Sequence, residues 1–289
     1  MMLRVRHATA FRYAQEAESA AYLVRLCPRP LPWQAVHSFT LRALPGPALV
    51  SDGEDHLGNP VTQLFFEDAH ERLELTSDLV VELHPLPAPP PPDSTPAWEV
   101  VAAKAGRPEA ARSVAEFACS SGMPAVRAWA MASFPPGRPV LAGVEDLTQR
   151  MAREFRVASC RLECPVAVER VLQSGEGAPN DLAHLLIAGL RSLRLPARLV
   201  CGYKRGSGRP HAWVGCWLGP VLGWIDFDPM SGLVAGEDYV WLGWGRDYAQ
   251  VSPVHGVQLG GGRASVSVSV DFEVLGAPPV GLTPACAGP

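Results

Sequence analysis

Lysine is almost missing from this chain of 289 residues: Lys104 and Lys204 are the only two, and arginine supplies the rest of the 25 basic residues. Proline, by contrast, occurs 29 times, about twice the usual ~5%. Together with the Ala and Gly content this reads as the coding bias of a GC-rich genome. No apolar run reaches the ~18–20 residues that a membrane span needs. The opening MMLRVRHATAFRY carries Arg4, Arg6 and Arg12 and no apolar stretch of the secretion-signal kind. A cytoplasmic location is therefore expected. The seven cysteines, Cys27, Cys119, Cys160, Cys164, Cys201, Cys216 and Cys286, are odd in number and unpaired in spacing. Cys160 and Cys164 stand four apart, but no second Cys or His pair completes a zinc site. Reduced thiols, no metal and no cofactor are expected. A strong charge of either sign is also lacking: the net charge is −4, so neither nucleic acid nor an anionic membrane is an expected partner. Disorder is excluded by 47% hydrophobic against 19% charged residues.

What is present falls into blocks. Residues 1–84 show period-two patterning with one wet face. Leu3, Val5 and His7 alternate with Arg4 and Arg6, and Phe39, Leu41 and Ala43 alternate with Ser38, Thr40 and Arg42. Asp52-Gly53 and Gly58-Asn59-Pro60 punctuate the block as turns. An antiparallel N-terminal β domain is expected, of β-sandwich kind. The run PLPAPPPPDSTP then reads as a stiff extended linker over 85–97. From Trp98 the period becomes helical. Helices are expected over Gly143–Phe155, Pro165–Leu172 and Pro179–Leu193, and short strands over Ala197–Tyr203, His211–Leu218 and Trp224–Phe227. Arg263–Leu275 is a regular amphipathic strand that could close a sheet with the β domain or with the core. The fold class is α+β, with a core over 98–275 and a flexible tail over 276–289.

His211 opens the run HAWVGCW after a glycine-rich turn, and Asp226 and Asp228 follow in GWIDFDP, a neighbouring strand. A histidine and an aspartate on adjacent strands can orient and polarise an imidazole for general-base work. Asp181 and His184, three apart on one helix face, could join His211 and Asp228 around a metal, but the spacing does not demand it; structural hydrogen bonding is the expected role.

The series Gly177 to His184, Leu195-Pro196-Ala197-Arg198, Gly202-Tyr203, His211-Ala212-Trp213, Gly223-Trp224 and Asp228-Pro229 resembles the bacterial transglutaminase-like family. Upstream, His7-x-Thr9, Arg25-Leu26-x-Pro28-Arg29, Gln34 and Asp55-x-x-Gly58-Asn59 resemble the β domain that precedes the core in that family. The resemblance implies a papain-like, cysteine-protease-like transglutaminase core: helices packed on an antiparallel sheet or barrel. It also implies a catalytic triad of a cysteine at a helix start, a histidine and an aspartate. His211 and Asp228 match the last two, and Trp213 and Trp224 match the aromatic walls. At the cysteine's position stands Pro179, followed by Asn180 where the family has glutamine. Proline suits the first turn of a helix but carries no nucleophile. The expectation is a pseudoenzyme that binds a peptide or protein partner in the former cleft, with Asn180, Asp181, His184, Trp213 and Trp224 lining it. The alternative is an active amide-bond hydrolase or acyl transferase. It would use a displaced thiol, from Cys160, Cys164 or Cys201, or water activated by His211 and Asp228. Cys216 is an odd number of residues from His211 and should face the other side of the sheet.

Overall fold

The computed structural model describes residues 1–106, 112–119, 122–158 and 166–276. Five strands come first: β1 (Met2–Val24), β2 (Gln34–Leu44), β3 (Leu49–Glu54), β4 (Pro60–Phe66) and β5 (His70–Leu83). Helices and short strands follow: α1 (Trp98–Ala105), α2 (Arg112–Ala115), α3 (Pro124–Met131), α4 (Val140–Glu154), β6 (Arg156–Val157), α5 (Val168–Ser174), β7 (Glu176–Gly177) and α6 (Pro179–Ser192). Then come β8 (Ala197–Lys204), β9 (Pro210–Trp217), β10 (Trp224–Asp228), β11 (Leu233–Val234) and β12 (Tyr239–Gly245). The short α7 (Tyr248–Val251), β13 (Val254–Gly260) and β14 (Ala264–Leu275) complete the described chain. The architecture is α+β.

β1 organises the first sheet. Its 23 residues alternate as the pleat requires: Leu3, Val5, His7 and Thr9 point inward, Arg4 and Arg6 outward. A register shift between Arg12 and Ala17 bends it. The first half pairs with β5 and β14; the second half pairs with β4 and β13. The two last strands therefore belong to the first sheet and not to the core that 98–275 was expected to span. The reason is the alternation of Val266, Val268, Val270 and Phe272 with Ser265, Ser267, Ser269 and Asp271. It matches the opposing alternation of β1 residue for residue, from Ala264 opposite Tyr13 to Leu275 opposite Met2.

The second sheet has the order β11-β10-β9-β8-β12. One face carries Ala197, Leu199, Cys201, Ala212, Val214 and Cys216 into an aliphatic core with α4 and α6. The other carries Val200, Trp213, Tyr239 and Trp241 into an aromatic cluster with Leu31, Trp33 and Leu86 from the N-terminal region. Helix α4 begins at Val140, three residues before the expected start, because the chain enters it from Pro139 in extended conformation. Helix α6 begins at Pro179, with the prolyl ring in the first turn, where no intrahelical N–H is needed. The start expected at Pro165 for α5, and the tail from 277, lie outside the described residues.

The sheets are joined rather than tethered. Tyr203, Val240 and Leu242 of the second sheet are buried in one cluster with Leu3, Val5, Leu73 and Leu79 of the first. Two side-chain amides then pair with the free edge of β12 as a neighbouring strand would. Gln34 donates to the Trp241 carbonyl and accepts from its N–H, both at 2.8 Å. Asn59 donates to the Trp244 carbonyl at 2.8 Å and accepts from its N–H at 3.0 Å. Between them, Gly243 is required, since a Cβ there would stand 2.7 Å from Asn59 Oδ1. An exposed sheet edge is thereby closed without a strand.

Candidate functional site: a buried His–Asp–Lys–Tyr cluster

β9 and β10 are antiparallel, with Phe227 opposite Val214. That register brings the start of β9 beside the end of β10. His211 Nε2 lies 3.0 Å from Asp228 Oδ2, with His211 6% and Asp228 0% exposed. The same oxygen accepts from Lys204 Nζ at 2.7 Å and from the Tyr239 hydroxyl at 2.7 Å. Oδ1 accepts from the Met230 N–H at 2.9 Å. Burial opposes ionisation of Asp228, but the bonds from His211, Lys204 and Tyr239 outweigh it and hold the carboxyl well below its usual range. Burial lowers the Lys204 ammonium; its bond to Asp228 more than offsets this and raises it. Burial, then the Asp228 charge, pushes Tyr239 up to about 12. With Nε2 turned to the carboxylate, Nδ1 is the ring nitrogen of His211 left for another partner, and no described group hydrogen-bonds it.

Trp213 stands beside His211, with ring centroids 6.1 Å apart and planes 28° apart, and is edge-on to Tyr239 and Trp241. Trp224 does not share this wall. It begins β10 opposite Trp217, four residues from Asp228, or ~13 Å along a strand. There it meets Phe117 edge-on and holds the Arg198 guanidinium 4.4 Å over its ring. Tyr239 takes the position that Trp224 was expected to fill. Asp226 turns to the same face as Asp228 but serves the scaffold, its Oδ2 accepting from the indole N–H groups of Trp241 at 2.6 Å and Trp213 at 3.3 Å. Arg198 lies 3.9 Å from its other oxygen, and burial pushes that guanidinium down to about 10.

Pro179 and Asn180, both half-buried, open α6. Asp181, expected at a binding cleft, is buried, and its carboxylate accepts from the N–H groups of Ala178 at 3.0 Å and Val166 at 3.2 Å. It fastens the helix start and has little left to offer a ligand. His184 lies one turn on; burial lowers its ring, and the Asp247 and Asp181 carboxylates offset this only in part. Among the described residues no hydrogen bond or ring contact joins Pro179, Asn180, Asp181 or His184 to His211. They are linked to it through the scaffold. β6 pairs with β7 just before α6. β6 also directly follows α4, against which Gly232 of the β10–β11 turn packs through Ala152 and Gln149. No group of three or more His, Cys, Asp or Glu among the described residues is placed to hold a metal.

Two thiols of the second sheet face away from His211. Cys201 and Cys216 lie on the helix face of the sheet, the side opposite His211 that alternation assigns to Cys216. Burial pushes the Cys201 thiol up to about 12 and the Cys216 thiol higher still, the reverse of an activated nucleophile. Cys119 is likewise a thiol, and exposed; Cys160, Cys164 and Cys286 lie outside the described residues. Lys204 and Tyr239 were missed by the sequence reading. Tyr239 sits in the continuous apolar run YVWLGWG, which shows no alternation. Lys204 did leave a signal: in a chain that uses arginine almost throughout, it is one of two lysines. A compact ammonium can share one carboxylate oxygen with a histidine and a tyrosine where a planar fork cannot.

Comparison with known proteins places the fold. The Bacterial transglutaminase-like N-terminal region matches residues 3–82, and the Transglutaminase-like superfamily core matches residues 138–229. A Mycobacterium tuberculosis protein of uncharacterised function is 33% identical over 293 residues, covering 93% of this chain and 91% of its own. One from Mycobacterium leprae is 28% identical and covers 94% and 99%. The crystal structure of a candidate cysteine protease from Cytophaga hutchinsonii superposes with a TM-score of 0.77 at 18% identity, over 97% of this chain and 92% of that one. With its N-terminal region and its core both matched, the chain belongs to the bacterial transglutaminase-like family.

Proposed function

We propose that this chain is a non-catalytic member of its family, a pseudoenzyme that binds a peptide or protein segment in the cleft where its relatives' fold would place a nucleophile. The observation that carries the reading is Pro179 at the first position of α6. The family resemblance puts a cysteine there, and a prolyl ring offers neither a thiol nor an N–H. Asp228 adds to this: its Oδ2 is shared by three donors, one of them the Lys204 ammonium, so His211 does not command the carboxylate alone. Without a nucleophile, such a site retains on the order of 10³-fold rate enhancement over water. Ordinary enzymes start near ~10⁶-fold. The thiol state of Cys119, Cys201 and Cys216 suits a reducing cytoplasm, where we place the protein.

The alternative reading is amide-bond hydrolysis or acyl transfer by a displaced thiol. One observation favours it: Ala158 donates to the Gly177 carbonyl and Val166 to Asp181, so the residues flanking Cys160 and Cys164 are both tied to the start of α6. A single experiment separates the two. Purified protein is assayed on glutamine-containing and simple peptide amides before and after iodoacetamide, alongside Pro179→Cys and Pro179→Cys/His211→Ala. The non-catalytic reading expects no turnover by the natural chain. It also expects the new cysteine to alkylate at least 10-fold faster than free thiol at pH 6.5, and that gain to vanish with His211→Ala. Turnover by the natural chain that alkylation abolishes, and that Cys160→Ser or Cys164→Ser removes, overturns it.

A further inference from the structure

The second half of β1 runs between β4 and β13. Ala20, Tyr22 and Val24 point into the core, so Ser19, Ala21 and Leu23 face outward. Pairing across the sheet sets Leu49, Phe65, Ala21 and Val257 in one row over four strands, with Leu259 opposite Ser19 beside it. Val257 is 70%, Leu259 62%, Leu49 58% and Phe65 37% exposed. Small side chains on the middle strand between large ones on its neighbours make a groove, of about 390 Å³, with Ser19 and Ala21 as its floor. Apolar exposure gathered in one place on a globular protein marks a contact surface.

The rim says what kind. Glu16 and Glu18 on β1 and Glu67, Asp68 and Glu71 at the β4–β5 turn are all exposed. No ion pair joins any of these carboxylates to a described residue. A second copy docked face to face would bring like charges together, which disfavours it. We propose that this groove docks a cationic amphipathic segment of a partner protein. Its aliphatic side chains would lie on Ser19 and Ala21 between Phe65 and Val257, and its Lys or Arg side chains against the glutamates. The surface is independent of the His211 cleft.

The test uses the full chain and a fluorescein-labelled decapeptide alternating leucine and lysine, read by anisotropy in 50 and 500 mM NaCl. A peptide with glutamate for lysine is the control. The proposal expects binding of the cationic peptide alone, weakened at least 10-fold by high salt. Val257→Asp and the double variant Glu18→Lys/Glu67→Lys should each raise Kd at least 10-fold. Asp93→Lys/Glu237→Lys, an equal charge change at exposed sites elsewhere, should change it less than 2-fold. All the substituted side chains are exposed, and thermal melting should confirm that each variant is folded. Equal weakening by the Asp93/Glu237 variant, or no effect of Val257→Asp, overturns the proposal. So does a dimer in sedimentation velocity that Val257→Asp dissociates, which would make a second copy the occupant.

Discussion

The two faces of the second sheet solve burial in opposite ways. Toward α4 and α6 the sheet shows Ala197, Leu199, Ala212, Val214 and Cys216, an aliphatic surface whose stability comes from removing apolar area from water. Toward the N-terminal region it buries two carboxylates two residues apart, Asp226 and Asp228, among Trp213, Trp241 and Tyr239. The first face tolerates change of shape if volume is kept. The second depends on every donor finding its acceptor, since a buried polar group without a partner costs more than the bond it lost. Within that face the aspartates differ as well. Asp228 Oδ2 accepts three bonds, whereas Asp226 Oδ1 has no hydrogen-bond partner and Arg198 stands 3.9 Å away.

The sharpest way to break this contrast is Asp228→Ala. It orphans Lys204, His211 and Tyr239 at once and should cost about 4 kcal/mol, read by urea denaturation. A cost below that of Val214→Ala on the aliphatic face would mean that the polar cluster is ornamental. Acid should act next. His7, buried at the junction of the sheets, bonds the Tyr203 hydroxyl at 3.1 Å and Thr9 Oγ1 at 2.7 Å. Burial pushes its ring down to about 4. Because the unfolded ring titrates near 6.5, the unfolded chain takes up the proton first. Stability is whole above pH 6.5 and falls by ~3 kcal/mol between pH 6.5 and 4. Asp228, held low, acts with the same sign at lower pH: its contribution is present above the usual carboxylate range and is lost as pH falls below it. Unfolding free energies at pH 7, 5.5 and 4 should show the first loss, and His7→Gln should remove the larger part of it, the buried His184 ring supplying the rest.

Smaller effects refine the picture. Val214→Ala should cost about 2 kcal/mol, a cavity against α6 with no change in the acid profile. Lys204→Met should cost about 1 kcal/mol, and Lys204→Arg should not recover it, because a fork cannot share Oδ2 with His211 and Tyr239. Full recovery by arginine would reduce Lys204 to a general surface charge. At the bottom of the scale, Cys201 and Cys216 should stay unmodified by iodoacetamide at pH 8 for as long as the fold persists. Mass spectrometry should find Cys119, which is exposed, modified well before either of them.

Strands and helices whose residues alternate or recur on one face were legible in the sequence. α6 begins at the expected Pro179, and β8, β9 and β10 fall within a residue or so of their expected bounds. β12 was not legible, because YVWLGWG is buried on both faces and a run without alternation carries no strand period. The partnership of β14 with β1 was open for a related reason: amphipathic patterning says that a strand has a dry face, not which strand dries it. At the site, His211 and Asp228 were found by residue type and order. Lys204, Tyr239 and the displacement of Trp224 depend on cross-strand register, which local pattern does not encode.

β1 is also a matter of timing. It leaves the ribosome before every other described element, yet two of the strands that pair with it, β13 and β14, are the last described elements to appear. At ~5–20 residues per second, a quarter of a minute to about a minute separates the synthesis of Met2 from that of its partner Leu275. Throughout that interval, β1 can be covered by β4 and β5 on one side only. The nascent chain therefore carries an open, partly apolar strand edge until β13 and β14 have been made, and a ribosome stalled anywhere before residue 254 would display it.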